Sequence, residues 1–411
     1  MKKHGLSVHA DIEWLHLLTS EWQLIADLSM ADLVLWVRNA SGKFFALSNA
    51  RPSSAPTLFY RDIAGSEAPK QWRAGLAQAF ESGEAYFLPS EVFDGIQSRF
   101  EVVPVRMLVS GDQQSPSERA VAFISRHTKI DTTIQPNKIS INYLRAANDL
   151  LEMVAHGQYP DFNSPTGSKR GAPRANDGLI RLDEDGDVIF ASPNGISAFN
   201  RLGIKGELED RSLAEAATMV MKDSNNIDES LPLVLTGRAA WRCDIESEAL
   251  TLSLRAIPLK ADGRRVGALV LCRDVTELRR QERELITKDA TIREIHHRVK
   301  NNLQTVSSLL RMQSRRSESS EVRESLDQAM RRVSAIALVH DTLSEGVNQD
   351  LDFDQVFDRV LQLTGELAAS HNTSVRTVVD GKFGQLRSEI ATPLAVALTE
   401  IDANAIEHGL G

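Results

Sequence analysis

The sequence predicts a multidomain α+β protein in which two mixed modules precede a long α-helical hairpin. Its 411 residues exceed one ordinary core and indicate roughly two to four domains. Strand-like apolar runs separated by Gly, Asp, Ser and Pro recur in two stretches of the chain before residue 277. Apolar residues at helical spacing occupy most of the chain after that residue. These observations predict the fold class.

Residues 8–132 form the first predicted module. A helical start, LHLLTSEWQLIADLS, precedes the strand-like runs LVLWVR, KFFALS, FEVVPVRML and RAVAFISRH. Four of the five tryptophans are concentrated here, namely Trp14, Trp22, Trp36 and Trp72. Aromatic groups could line a ligand pocket, but we expect them mainly to fill a core. We therefore expect an α+β sensor whose ligand the sequence does not identify.

Residues 133–159 form a predicted helical connector. Apolar positions from Ile139 to Val154 follow a helical rhythm, so we expect a stripe suited to pairing across a dimer. Residues 160–177 read PDFNSPTGSKRGAPRAND and are rich in Pro, Gly, Ser and charge. Such a composition buries little apolar surface and predicts a linker.

Residues 178–276 form the second predicted module. Two strand-like runs flank an acidic turn at residues 183–187, and a last strand ends at Asp274-Val275-Thr276 before a helix. The acidic turn lacks the spacing of a calcium-binding loop, so we expect an ordinary turn. Asp274 and Thr276 are predicted to cap the next helix. The opening hairpin and this exit segment resemble a PAS domain, to which we assign no chromophore.

Residues 277–345 form a predicted helical hairpin. Leu278, Leu285, Ile292 and Val299 recur every seven residues, which predicts a long helix with a seam for pairing. A polar break comes next, and apolar positions from Val322 to Leu343 predict the returning helix, with His340 on its packed side. Two such hairpins from two chains would complete a four-helix bundle, so a homodimer is expected.

Two histidines lie in this first helix within EIHHRVKNNLQ, residues 294–304. At about 100° per residue, His296 falls near the stripe of Ile292, whereas His297 turns toward solvent. A neutral imidazole with an ordinary pKa of roughly 6.5 is nucleophilic near pH 7. Arg298 and Lys300 could offset the charge of a phosphate. A solvated pair on a polar helix face is the alternative.

The segment EIHHRVKNNLQTVSSLLRMQSRR resembles the dimerisation and phosphoacceptor helix of the HisKA_2 histidine kinase family, which is related to the HWE kinases. In that family the histidine directly before Arg-Val-Lys-Asn-Asn is phosphorylated, which implies His297 as the phosphoacceptor. The order of segments from EWQLIADLSMADLVLWVR to ALVHDTL resembles soluble actinobacterial sensor kinases of this family. That resemblance implies a GAF-like domain over residues 8–132 and a PAS domain over residues 178–276.

Near the C-terminus, Glu400, Asn404 and His408 occur at four-residue steps along one side of a predicted helix. This spacing resembles the N box of the GHKL ATP-binding family and implies that residues 346–411 begin such a domain. The resemblance implies Glu400 as a base, Asn404 as a ligand of Mg²⁺ bound to the ATP phosphates, and His408 as part of the ATP site. Because the chain ends at Gly411, before the adenine-reading aspartate, we expect no complete ATP site from this chain alone.

Composition limits the kinds of partner that the protein can bind and the cellular compartments in which it can reside. A net charge of -9 argues against a general binder of nucleic acid or anionic membranes. Cys243 and Cys272 are the only cysteines, which fits a reducing compartment rather than a disulfide framework. No apolar run approaches the roughly 20 residues of a membrane helix. A cytoplasmic protein is therefore expected.

The resemblance implies a cytosolic sensor histidine kinase of a two-component system. In such a kinase ATP and Mg²⁺ phosphorylate His297, and the phosphoryl group passes to an aspartate of a response regulator. By the same resemblance the regulator is of the ANTAR, RNA-binding type, and the signal is a small molecule. The alternative is a non-catalytic dimeric scaffold that senses a ligand, or a fragment that only accepts phosphate.

Overall fold

The computed structural model describes residues 9–53, 55–107, 120–130, 135–161, 171–221, 230–247, 250–345, 350–370 and 377–408. The chain divides into two compact units, Met1–Arg279 and Arg280–Gly411. Within the described parts of the chain, no helix has both the length and the apolar composition needed to cross a membrane.

The N-terminal module of the first unit is a five-stranded sheet covered by helices on both faces. Its elements are α1 (His9–Glu21), α2 (Gln23–Ser29), β1 (Asp32–Arg38), β2 (Phe44–Ala50), α3 (Lys70–Ser82), β3 (Tyr86–Phe93), β4 (Ile96–Val105) and β5 (Ala122–Lys129). The strand order is β2-β1-β5-β4-β3, with antiparallel neighbours. Six of the seven residues of β1 are buried because alternate side chains enter different cores.

The four tryptophans of this module fill those cores, as expected. Trp14 and Trp22 pack with the helices on one face of the sheet. Trp36 and Trp72 pack on the other face, where α3 lies, with ring centroids 6.0 Å apart in an edge-to-face arrangement. All four are buried, so the prediction of core filling is confirmed.

The second module comes after helix α4 (Lys138–Ala155) and contains a second antiparallel five-stranded sheet. Its elements are β6 (Leu179–Leu182), β7 (Val188–Ala191), α5 (Pro193–Leu202), α6 (Leu213–Met221), α7 (Leu231–Leu235), β8 (Arg242–Glu246), β9 (Thr251–Ala261) and β10 (Arg264–Asp274). The strand order is β7-β6-β10-β9-β8. In the acidic turn between β6 and β7, one carboxylate oxygen of Asp183 accepts hydrogen bonds from the backbone N–H groups of residues 185, 186 and 187. This confirms the ordinary turn.

Helix α4 is present where the connector was predicted, but its apolar stripe is covered within the same chain. The side chain of Asn137 and the hydroxyl of Ser140 form a reciprocal capping box at its start. Ala146, Leu150 and Val154 are fully buried, and α4 packs against α2 and β4 of the first module and β9 of the second. The part of the stripe from Ala146 to Val154 is therefore covered by both modules of its own chain and is not free for a dimer, whereas Ile141 near its start is 42% exposed.

The predicted linker also differs from expectation over residues 171–177, whereas residues 162–170 lie outside the described part. Ala175 is fully buried, and its carbonyl oxygen accepts a hydrogen bond of 3.1 Å from the hydroxyl of Tyr143 on α4. Gly171 has a positive φ and lies so close to Leu278 that a Cβ would approach that side chain to 2.8 Å. This segment is packed rather than solvated, since its small residues fit against neighbouring elements.

The second unit is mainly helical. Its elements are α8 (Thr276–Arg316), which begins in the first unit, α9 (Ser320–Glu345), β11 (Asp350–Asp352), α10 (Phe353–Ser370), β12 (Gln385–Arg387) and α11 (Ser388–His408). Helices α8 and α9 are separated by three residues, and this confirms the predicted hairpin and its polar break. Strands β11 and β12 pair antiparallel. A small core joins α9, α10 and α11 through Val339, Phe353, Val356, Ala391 and Ala395.

The predicted seam of α8 is largely uncovered in the single chain. Leu285 is 57% exposed and Ile292 is 50% exposed, although both are large apolar residues. Further along α8, Val306, Leu309 and Met312 are also exposed. An apolar row of this length on one helix requires a covering surface.

Candidate functional site

His297 lies on α8 with its side chain exposed, as the helical spacing predicted. The neighbouring His296 is partly buried. The guanidinium of Arg298 pairs with Glu294 one turn earlier at 2.6 Å, and both side chains are exposed. The imidazole that the sequence selects is thus accessible to a reactant in solution.

His296 contacts α9 rather than solvent. Its Nδ1 lies 3.1 Å from Nδ1 of His340, and the ring centroids are 5.4 Å apart. One of the two rings must donate its N–H to the lone pair of the other, so the rings carry different tautomers. Partial burial, and then the charge of His296, lower the pKa of His340. His340 is on the packed side of α9, where the sequence placed it.

One turn along α8, a second polar contact crosses to α9. The ammonium of Lys300 binds one carboxylate oxygen of Asp341, and Arg359 of α10 donates to the other oxygen at 3.1 Å. The sequence suggested Lys300 as a counter-charge for phosphate, whereas the structure engages this ammonium with a carboxylate. A single carboxylate therefore joins three helices near His297.

Glu400, the predicted base, lies on α11 and is bound to α9. Its carboxylate accepts hydrogen bonds from Nε of Arg332 at 2.7 Å and from the amide of Gln328 at 3.2 Å. Desolvation raises the pKa of Glu400, but the hydrogen bonds from these two side chains and the positive charge of Arg332 give a net lowering. Because Arg332 precedes His340 by eight residues, this contact lies about 12 Å along α9 from the histidine pair.

The structure therefore does not bring Glu400 to His297. Asn404 is on the same helix as Glu400 and is exposed, and the helix continues to His408, whose side chain lies outside the described residues. The predicted roles of these three residues at ATP and Mg²⁺ remain predictions.

Sequence reasoning missed the partners that anchor these groups. Gln328 and Arg332 are four residues apart on α9 and share a face, which is a signal for a common partner. Nothing in the sequence indicates that this partner is Glu400, because the contact spans 68 residues. The ion pair of Arg359 on α10 with Asp341 on α9 was also not predicted from the sequence.

A second polar cluster missed by the sequence lies inside the N-terminal module. His127 is buried among Phe59, Trp72 and Phe100, and its Nε2 lies 2.8 Å from the hydroxyl of Ser125. Its Nδ1 lies 3.9 Å from Glu91, which also accepts from the indole N–H of Trp72 at 3.1 Å. Desolvation lowers the pKa of His127 despite the nearby carboxylate. No group of three or more His, Cys, Asp or Glu residues suited to a metal ion occurs among the residues described.

Asp274 caps the start of α8 as predicted, whereas the hydroxyl of Thr276 binds a backbone donor of β9 rather than of α8. One carboxylate oxygen of Asp274 accepts from the backbone N–H of Thr276 at 3.0 Å and also from its hydroxyl. That hydroxyl in turn accepts from the backbone N–H of Thr251 on β9 at 2.9 Å. Arg201 pairs with Asp274 at 2.6 Å. Desolvation raises the pKa of Asp274, but the hydrogen bonds from Thr276 and Arg201 leave it lowered.

Comparison with known proteins identifies three kinds of domain along the chain. Family models match three segments: the GAF domain of the histidine kinase PdtaS at residues 1–147, the PAS fold at 173–280 and the HisKA_2 histidine kinase domain at 294–368. The chain is 39% identical over 419 residues to the sensor histidine kinase PdtaS of Mycolicibacterium smegmatis, covering 99% of this chain and 81% of the relative. The chain belongs to the PdtaS family of sensor histidine kinases. PdtaS of Mycobacterium tuberculosis is 40% identical over 417 residues, with the same coverage.

A solved structure supports the architecture of the PdtaS family. The sensor region of a sensor histidine kinase superposes with a TM-score of 0.55 at 32% identity, covering 68% of this chain and 97% of that chain. The predicted α+β class, with GAF and PAS sheets joined to a helical HisKA_2 region, is confirmed. The HisKA_2 match includes both histidines of the contact between α8 and α9, as well as His297. The GHKL assignment of residues 346–411 remains a prediction.

Proposed function

We propose that this chain senses a small molecule in the cytoplasm and that His297 accepts the γ-phosphoryl group of ATP. The group then passes to an aspartate of a response regulator. The observation that carries the proposal is the exposed imidazole of His297 on α8. Its neighbour His296 is turned the other way and forms a hydrogen bond with His340 of the opposite helix. Membership of a histidine kinase family supports it.

The chemistry requires a neutral ring at His297. A ring nitrogen attacks the γ-phosphorus, a P–N bond forms, and the bond to the β–γ bridging oxygen breaks as ADP leaves with the electron pair. The phosphorylated ring then loses its one remaining N–H proton to solvent or a base. In the next step the aspartate carboxylate of the regulator attacks phosphorus and forms an aspartyl phosphate, the P–N bond breaks with its electron pair on the ring nitrogen, and a proton taken up from solvent restores the neutral imidazole.

ATP and Mg²⁺ are the co-substrate and ion of this proposal. Asn404 offers an exposed amide oxygen, a donor that Mg²⁺ accepts. Glu400 would act as a base only after leaving Arg332, to which it is bound at 2.7 Å. In this structure that carboxylate is occupied by Arg332 and Gln328.

The active assembly we propose is a homodimer formed along α8. Exposed Leu285 and Ile292 belong to the seven-residue repeat that continues to Val299, which is partly buried. Pairing with the same helix of a second chain would cover these residues and complete a four-helix bundle. The regulator we propose is of the ANTAR type, on the strength of family resemblance alone.

The test is phosphorylation in trans. The chain is mixed with a kinase-competent PdtaS homologue of different size, Mg²⁺ and radiolabelled ATP, and label on each chain is measured after separation. We expect label on the wild-type chain and on His16→Gln, which removes another exposed histidine, and none on His297→Gln.

Two outcomes would contradict the proposal. Label that survives in His297→Gln would place the acceptor elsewhere. If the homologue is labelled while this chain never is, the chain acts as a non-catalytic sensing scaffold. That alternative is favoured by the binding of Glu400 to α9 rather than near His297.

A further inference from the structure

We infer that His340 is a positioning residue for His297. Its hydrogen bond to His296 fixes the rotation of α8 at the phosphoacceptor, and it holds only while the two rings share at most one added proton. The inference rests on the proposed role of His297 and adds to it a residue from the opposite helix and a dependence on pH.

The geometry limits how many protons the pair can carry. With both rings neutral, the Nδ1–H of one ring donates to the bare Nδ1 of the other across 3.1 Å. One added proton goes to the free Nε2 of the donor ring, and the resulting cation donates more strongly. A second added proton would place N–H groups face to face with no acceptor between them, and the contact would open.

The groups around the pair do not favour a second positive charge. From α8 the neighbouring charge is Lys300, and from α9 it is Asp341. The carboxylate of Asp341 is already bound by Lys300 and by Arg359 of α10. The charged contact of α11 with α9 is at Arg332, about 12 Å away along the helix. Partial burial and the proximity of His296 both lower the pKa of His340.

The contact sets the direction of the acceptor because His296 and His297 are adjacent. Consecutive side chains on a helix differ by about 100°, so holding His296 against α9 turns His297 outward. The bond between Lys300 and Asp341 holds the same helix one turn later. Freed from the histidine contact, α8 can rotate locally, and misplacement of a reacting group by about 1 Å can slow transfer about 100-fold.

The experiment compares two substitutions of His340 in the trans-labelling assay between about pH 5 and 8, a range that spans the ordinary histidine pKa. Asn places an amide oxygen near the original Nδ1, accepts from His296 and does not titrate. Leu offers no hydrogen bond. Label on the homologue in each mixture corrects for the effect of pH on the donor, and His16→Asn serves as the matched control.

At pH 7.5 we expect His340→Asn and the control to label within about threefold of wild type, and His340→Leu to label about 10- to 100-fold more slowly. As the pH falls toward about 5, the wild-type rate should fall more steeply than the rate of His340→Asn, because only the histidine pair loses its contact when it takes up a second proton.

Wild-type rates and a wild-type pH dependence in His340→Leu would overturn the inference while leaving His297 as the acceptor. Should the Leu variant lose its helical circular dichroism, the Asn variant decides, since a pH dependence as steep as that of wild type would also overturn the inference. Label that persists in His297→Gln instead removes the proposed function, whatever His340 does.

Discussion

Burial decides which form of His127 the N-terminal module contains. The ring is 1% exposed and is surrounded by aromatic side chains, so the charged form loses its hydration. The carboxylate of Glu91 would favour the charged form, but its nearest oxygen is 3.9 Å from Nδ1 of His127. That oxygen also accepts a hydrogen bond from the indole N–H of Trp72. Desolvation is the larger effect, and the pKa of His127 is lowered.

This lowering predicts acid sensitivity of the N-terminal module. An unfolded histidine has a pKa of roughly 6.5, so below that pH the unfolded chain binds a proton that folded His127 does not, and stability falls as pH decreases. We expect the midpoint of thermal unfolding, followed by tryptophan fluorescence, to decrease between pH 7.5 and 5.5. His127→Gln, which keeps a polar group toward Ser125, should show a smaller decrease. Parallel pH dependences in the two proteins would contradict this account.

At this scale, sequence reasoning succeeds where position along one helix is enough. The exposure of His297 follows from its spacing relative to Ile292, because helical geometry alone relates the two. The contacts of His127 with Glu91 and of Glu400 with Arg332 could not be predicted, since each joins residues that are distant in sequence. Pairings of that kind depend on how whole elements pack.

Among the elements, α8 has a first turn whose capping residue, Asp274, could be predicted from the sequence. Asp274 and Thr276 satisfy backbone donors of α8 and of β9 together. An N-cap carboxylate also interacts favourably with the positive end of the helix dipole. The cap therefore fastens α8 to the last strands of the PAS sheet.

We predict that Asp274→Ala destabilises the PAS module by about 1 kcal/mol, the usual value of a lost N-cap. Asp274→Asn should lose less, because Asn caps well and gives up only the charge paired with exposed Arg201. Since folding lowers the pKa of Asp274, its charge contributes stability above the unfolded pKa of roughly 3.9, and this contribution is lost as pH falls through the folded value. Urea unfolding at pH 7 and pH 3 measures both effects, and equal losses for Ala and Asn at pH 7 would contradict the capping role.

Helix α4 shows what an apolar stripe can and cannot predict. The spacing from Ile139 to Val154 correctly indicated a helix with one buried face. It could not indicate the covering surface, because a stripe that suits a second chain equally suits a sheet of the same chain. The composition of residues 171–177 led to the wrong prediction of a solvated linker for a related reason. Pro, Gly and Ala also fit narrow spaces between packed elements.

At the level of the whole chain, the GAF and PAS modules belong to one compact unit. The ion pair of Glu21 with Arg255 at 2.5 Å joins them directly, and two pairs join α4 to the PAS module, Asp149 with Arg181 at 2.7 Å and Lys138 with Glu209 at 2.8 Å. The first pair is about four-fifths buried and lies beside Tyr159, whose buried hydroxyl has no hydrogen-bond partner among the residues that the structure describes. A buried pair of this kind is costly to break on one side only.

We predict that Glu21→Leu lowers the free energy of unfolding of this unit by about 1–3 kcal/mol, because it leaves Arg255 buried without its carboxylate. The double variant Glu21→Leu with Arg255→Met should recover most of that loss. Lys138→Met, which removes an exposed partner, should cost at most about 1 kcal/mol. Denaturant unfolding of the four proteins forms the comparison. A double variant that is no more stable than Glu21→Leu would contradict this account.

The order of domains along the chain was accessible to sequence reasoning because each domain carries its own local signals, from paired strand runs to a heptad repeat. The packing of the two sensor modules into one unit could not be predicted from the sequence. It depends on single charged residues of α1, α4 and β9, which cannot be distinguished in the sequence from ordinary surface residues. The proposed function was inferred from the resemblance to a family. The spacing and chemistry of the residues explain why His297 is a reasonable phosphoacceptor.

The shared burial of α4 has a consequence for how this protein could be inherited or recombined. The hydrophobic side of α4 contributes to the cores of both modules. A domain boundary placed on either side of α4 would therefore remove part of the core of one module. Genes that exchange sensor cassettes in such proteins should therefore move the two modules and the helix as one cassette.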